Sequence, residues 1–134
     1  MNITATIRNS RQQNDVTVNT QGNQKTITIP GKPAGGGSSV NGGELLFLAL
    51  ATCFCNDIYR EAARRNMAIE SVDVTVTGEF GGEGDPASNI SYRVQIESDS
   101  PESEIQDLIH YVDTVAEIHN TLRKGVQVSL QRAD

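Results

Sequence analysis

The sequence predicts an α+β fold, and three observations carry the prediction. Aliphatic, mostly β-branched residues alternate with polar ones in six short segments, the pattern of half-buried strands. One long stretch is apolar on every face before it turns amphipathic. A later stretch repeats apolar residues at helical spacing. In chain order the elements read βββ-α-ββ-α-β, within one domain over residues 1–134.

The first three strands centre on Ile3, Ala5 and Ile7, then Val16 and Val18, then Ile27 and Ile29, with threonine or asparagine between. Arg8 to Asp15 reads as a polar connection and Gln21-Gly22-Asn23 as a tight turn. A glycine-rich connection, Pro30 to Gly43, leads to the first helix, Glu44 to about Asn66. Leu45 to Ala51 is apolar all round, which predicts a helix enclosed by protein. Asp57 to Arg65 is amphipathic, and Glu61 and Arg65 form a favourable i,i+4 pair. Strands over Val72–Thr77 and Ile90–Glu97 follow, joined by an exposed loop from Gly78 to Asn89. Ser100 and Pro101 are the expected N-cap and first residue of a second helix. Its buried stripe includes Ile105, Leu108, Val112, Ala116 and Ile118. Gly125 ends that helix, and Val126, Val128 and Leu130 predict a closing strand.

Aromatic residues make up only 4% of the chain and tryptophan is absent, so the core must be aliphatic. Eleven Lys and Arg against seventeen Asp and Glu leave a formal charge of −6. That balance argues against non-specific nucleic-acid binding, which needs clustered cations. No basic amphipathic stretch marks a membrane surface, and the longest apolar run, Leu45 to Cys55, is too short to span one. With no secretory signal in the first residues and two cysteines in place of a disulfide framework, a cytoplasmic protein is expected.

The glycine-rich connection lacks a Walker A order, because Gly31-Lys32 is followed by Pro33. There is no Gly-x-Ser-x-Gly elbow for a serine hydrolase. Cys53, Cys55, His110 and His119 could in number hold a metal, but their spacing matches no established pattern, so no metal or other cofactor is expected. A cysteine in a buried helix is ordinarily a small hydrophobe.

Around Cys53 the run Gly43-Glu44-Leu45-Leu46-Phe47-Leu48-Ala49-Leu50-Ala51-Thr52-Cys53-Phe54 resembles the cysteine-bearing helix of the OsmC/Ohr family of osmotically inducible and organic-hydroperoxide-resistance proteins. His119-Asn120-Thr121-Leu122-Arg123-Lys124-Gly125-Val126 is similar to the segment after that family's second cysteine. The resemblance implies an intertwined homodimer with a central buried helix, and a thiol peroxidase in which Cys53 attacks an organic hydroperoxide. It implies that Arg11, with Arg8 as fallback, activates the thiolate, and that Glu44 orients the arginine, although Glu44 falls one residue late. The family's second cysteine aligns with Ala116. Cys55 is a poor substitute, since residues i and i+2 point about 200° apart on a helix.

Two functions follow as expectations. One is peroxide reduction in which an external thiol resolves the oxidised Cys53. The other is a non-catalytic dimeric binding or scaffold protein of the same fold. Phe47, Phe54, Ala116 and His119 are the candidate substrate pocket, and His110 is expected at the surface. The expected partners are a second copy of the chain, a small hydroperoxide and a thiol reductant.

Overall fold

The computed structural model describes residues 1–133. Its elements are β1 (Ile3–Ser10), β2 (Gln13–Thr20), β3 (Asn23–Thr26), α1 (Gly42–Arg64), β4 (Ile69–Phe80), β5 (Ala87–Ser98), α2 (Glu102–Val115) and α3 (Glu117–Lys124). This is the predicted mixed α+β class, with two antiparallel sheets. Two compact units divide the chain, Met1–Leu45 and a second beginning at Leu46.

In the first unit β1, β2 and β3 form one sheet, with Ile3 opposite Thr20 and Ser10 opposite Gln13. The expected long connection from Arg8 to Asp15 is largely paired strand instead. Only Arg11 and Gln12 make the turn, with φ of 50° and 65°, the left-handed values a two-residue primed turn requires. The third strand ends at Thr26 and does not run through Ile29; the Ile27 N–H still reaches the Val16 carbonyl, and Pro30 then removes a ladder donor.

The glycine-rich connection folds back on the first hairpin. Gly31 pairs with Ser38, the Asn9 side chain exchanges hydrogen bonds with Gly37, and Gln12 Nε2 donates to the Pro33 carbonyl. A Cβ on Gly31 would lie 2.0 Å from the Gln12 carbonyl oxygen, so no other residue fits there unaltered. At the start of α1 the Asn41 Oδ1 accepts from the Glu44 N–H while Glu44 Oε1 accepts from the Asn41 N–H, both at 2.8 Å. This reciprocal capping box satisfies two otherwise orphaned donors.

The second unit contains the core. Phe54, Ile58 and Ala62 project from α1 at four-residue intervals and meet Leu108, Val112 and Ala116, with Val72, Val74, Tyr92, Val94 and Ile96 of the β4–β5 hairpin packed against them. The expectation that the first half of α1 is enclosed needs correction: Leu48 is 60% exposed in the single chain, and Leu45 is exposed beside it. Apolarity on all faces shows that a helix can be buried; it does not supply the covering surface.

Three further boundaries differ. Pro101, not Ser100, occupies the N-cap of α2, with no side-chain cap bond. The single expected second helix is two, because Ala116 is extended at φ −66° and ψ 111°. The Asn120 amide donates to the Thr114 carbonyl and Arg123 to the Asp113 carbonyl, satisfying the acceptors released at the break. Gly125 closes α3 in the left-handed conformation. Beyond it the expected strand does not form among the described residues, and Val128 and Leu130 stand in solvent.

Candidate functional site

Cys53 lies on the α1 face that carries Leu50, Phe54 and Asp57, so its half-buried thiol looks toward the start of α3. Its Sγ is 4.0 Å from Asp57 Oδ2, one turn further along α1, and 4.0 Å from Glu117 Oε2 at the first residue of α3. The backbone N–H groups of Ile118 and Glu117 also lie near enough to act on the sulfur electrostatically. The break at Ala116 is what aims them: an uninterrupted helix would have no free N–H groups at residues 117 and 118.

The electrostatics of this cluster oppose one another. Burial raises the Cys53 thiol above its ordinary range, and the Asp57 and Glu117 carboxylates add to that effect. The Ile118 and Glu117 N–H groups pull the other way, toward thiolate. Asp57 is only 3% exposed, yet Arg60 holds its Oδ1 at 2.7 Å. Burial still raises its carboxyl, with Glu117 contributing and Arg60 opposing.

Across the core, His119 is 5% exposed and both of its ring nitrogens lack a hydrogen-bond partner. Burial first, then Arg123, lowers its pKa and keeps the imidazole neutral. Its ring meets Tyr92 edge-on at 4.7 Å and Phe54 at 5.7 Å. It borders a cavity of about 220 Å³ whose walls are otherwise Leu50, Ile90, Tyr92, Leu122 and Arg123. Tyr92 donates its hydroxyl to Asp113, which Arg123 Nη2 also holds at 2.7 Å. Those two donors fix one corner of the cavity.

The other residues named from sequence fall in separate places. Phe54 and Ala116 have no exposed surface and belong to the core. Phe47 stacks on Phe80 with centroids 5.9 Å apart, and Gly78 makes room for it, since a Cβ there would lie 2.6 Å from the Phe47 ring. Cys55 faces another hollow beside Val72 and Val74, as divergence at i,i+2 demands, and both cysteines are free thiols. Arg11 sits at the tip of the β1–β2 turn, exposed, and Glu44 in the α1 capping box; both belong to the first unit, whereas Cys53 belongs to the second. His110 is exposed on α2.

Asp57 and Glu117 are the residues that sequence reasoning missed. Asp57 was legible: a carboxylate four residues after Cys53, on a stripe otherwise apolar, shares its face. Glu117 was not, because its approach depends on the unpredicted break at Ala116.

Residues 35–131 match the family model for OsmC-like protein. No curated protein sequence matches the chain significantly. Among solved structures, an OsmC-like protein from Mycoplasma pneumoniae superposes with a TM-score of 0.61 at 24% identity, over 91% of this chain and 86% of that one. An organic hydroperoxide resistance protein OsmC from Legionella pneumophila gives 0.62 at 19% identity, covering 92% and 90%. The organic hydroperoxide resistance protein OhrB of Bacillus subtilis gives 0.55 at 17% identity, covering 92% and 91%. At these identities the superpositions establish the fold, and the family model adds the sequence pattern over most of its length. That match over residues 35–131 places the chain in the OsmC-like protein family.

Proposed function

We propose that the protein reduces organic hydroperoxides through Cys53, with an external small thiol completing the cycle. The observation that carries this reading is the half-buried Cys53 sulfur beside the first residues of α3, whose backbone N–H groups oppose the rise in pKa that burial and two carboxylates impose. In the first step the Cys53 sulfur attacks the distal oxygen of R–O–O–H. The O–O bond breaks, the sulfenic acid Cys53–S–OH forms, and R–O⁻ leaves to take the thiol proton as R–OH. In the second, an external thiol R′–SH displaces water to give a Cys53–S–S–R′ disulfide. A second R′–SH restores Cys53–SH and releases R′–S–S–R′. An external thiol is required because Ala116, adjoining Glu117, carries no sulfur.

The activating cation is assigned to Arg11, with Arg8 as fallback, and Glu44 to its orientation. The apolar wall for the alkyl group is drawn from Phe47, Phe54, Ala116 and His119. A second copy of the chain is assigned to the open face of α1 at Leu45 and Leu48 and to the alternating segment Val126–Leu130, both exposed in the single chain. Residues 1–134 then act as a single domain within an intertwined homodimer, in a reducing compartment such as the cytoplasm, where free thiols persist.

One observation favours the alternative, a non-catalytic binding or scaffold protein: two carboxylates face the thiol and hold its proton in place. Consumption of cumene hydroperoxide in the presence of a small dithiol separates the two. Cys53→Ser is expected to abolish it; equal slow consumption by both proteins leaves the binding reading. Ala116→Cys is expected to form a disulfide with Cys53 on oxidation, detectable in a mass-spectrometric crosslink map.

A further inference from the structure

The Cys53 thiol carries one proton but faces two carboxylate oxygens at equal distance, Asp57 Oδ2 and Glu117 Oε2, each 4.0 Å away. One proton can serve only one of them. The three potential ligand atoms lie within 4.8 Å of one another. This is not the set the sequence suggested for a metal. Cys55 diverges, His110 is exposed on α2, and two carboxylates take their place.

The geometry points to a binding site for one divalent cation of zinc's class, held by Cys53 Sγ, Asp57 Oδ2 and Glu117 Oε2, with a fourth position left to solvent. A thiolate with two carboxylates is a borderline donor set, softer than magnesium or calcium prefer and harder than copper(I) prefers. Three protein ligands and an open position match the arrangement of non-structural zinc sites. Zinc–sulfur and zinc–oxygen bonds of about 2.3 and 2.0 Å at the tetrahedral angle put sulfur and oxygen about 3.5 Å apart. Closing from 4.0 Å takes about 0.5 Å at each sulfur–oxygen pair, and the ligand atoms, which spread to 4.8 Å, must also bring the two oxygens to about 3.3 Å, a movement for side-chain rotation at exposed Glu117.

The surroundings fit a cation in two further ways. Arg60 grips Asp57 Oδ1 at 2.7 Å and leaves Oδ2 directed at the sulfur, the outer support that metal-ligating carboxylates need. Thiolate, two carboxylates, Arg60 and a dication together are neutral, whereas without the ion two carboxylates face the thiol with Arg60 paired to only one of them.

An ion on Cys53 and oxidation of Cys53 exclude one another, so a bound cation would shield the sulfur from peroxide. The site itself stands on geometry alone, whether or not the thiol turns over. The experiment titrates the reduced, full-length protein with zinc chloride by calorimetry and with cobalt(II) by absorbance. One equivalent per chain is expected, with a near-ultraviolet thiolate-to-cobalt charge-transfer band. Cys53→Ser should abolish the band, and Glu117→Gln, which alters only an exposed side chain, should weaken zinc binding by at least about tenfold. Arg60→Ala should weaken it by about 10–100-fold. Circular dichroism of each variant checks that the fold is retained. Absence of the band, or zinc affinity unchanged in Glu117→Gln, overturns the proposal. Because no hydroperoxide enters the measurement, loss of peroxidase activity and loss of this site are read separately.

Discussion

The two units of the chain are built on different physics. In Met1–Leu45 only Val16 among the hydrophobic residues is buried, and Ile3, Ile7 and Ile27 are about half exposed. What orders that unit is its strand ladder and a set of side-chain-to-backbone bonds, with Asn9, Gln12 and Asn14 fastening the glycine-rich connection to the first hairpin. From Leu46 onward a helix stripe, a twisted hairpin and α2 enclose Phe54, Ile58, Leu108 and Val112 completely. Hydrogen bonds specify geometry at about 1 kcal/mol each, whereas a buried aromatic or aliphatic side chain contributes several times that. Stability is therefore concentrated in the second unit, and the first is the part that gains most from being covered.

The sharpest way to break this contrast is a pair of truncations. Phe54→Ala should destabilise the protein by about 3–5 kcal/mol in urea-unfolding curves, while Val16→Ala should cost no more than about 2 kcal/mol. Equal losses would mean that the first unit has apolar support of its own. Next in size, Gly31→Ala forces a Cβ against the Gln12 carbonyl and should cost about 1–3 kcal/mol. Hydrogen exchange should rise at residues 31–38 and in the β1–β2 turn, leaving α1 and α2 protected. Exchange that rises everywhere would show that the two units open together.

The smallest effect concerns Asp113, whose carboxyl is held below the usual range chiefly by the Tyr92 hydroxyl, with Arg123 assisting. A carboxylate depressed in the folded state stabilises at pH values above its unfolded pKa of about 3.9. It loses that contribution as pH falls through the lower folded value. Asp113→Asn should cost less than about 1 kcal/mol at neutral pH, because solvent screens this partly exposed carboxylate, and should flatten the acid limb of the stability profile below about pH 4. An acid limb identical to wild type would assign that limb to other carboxylates.

Period-two alternation located β1, β2, β4 and β5; in β4 and β5 exposed and half-buried residues do alternate over much of each strand, whereas every residue of β1 is exposed in the single chain. It misled at Val126, Val128 and Leu130, which carry the same pattern yet join no sheet and stay exposed. The α1 stripe was readable for a similar reason: Leu50, Phe54, Ile58 and Ala62 recur every four residues. The Ala116 break was not readable, since neither proline nor glycine marks it. Its carbonyls are capped by Asn120 and Arg123 from the following helix, a tertiary compensation with no local signature.

The candidate site divides along the same line. Residue chemistry within one helix turn, Cys53 with Asp57, follows from sequence because an α-helix repeats its directions every three to four residues. What the chain alone determined was thus the α+β class, the core stripe and the cysteine's family context. Only the folded structure decided that Glu117 meets that cysteine 64 positions later, that two carboxylates and two N–H groups converge on one sulfur, and that His119 is buried without a partner. Those encounters depend on where a helix stops and what closes over it, and distance through space carries no periodic mark along the chain.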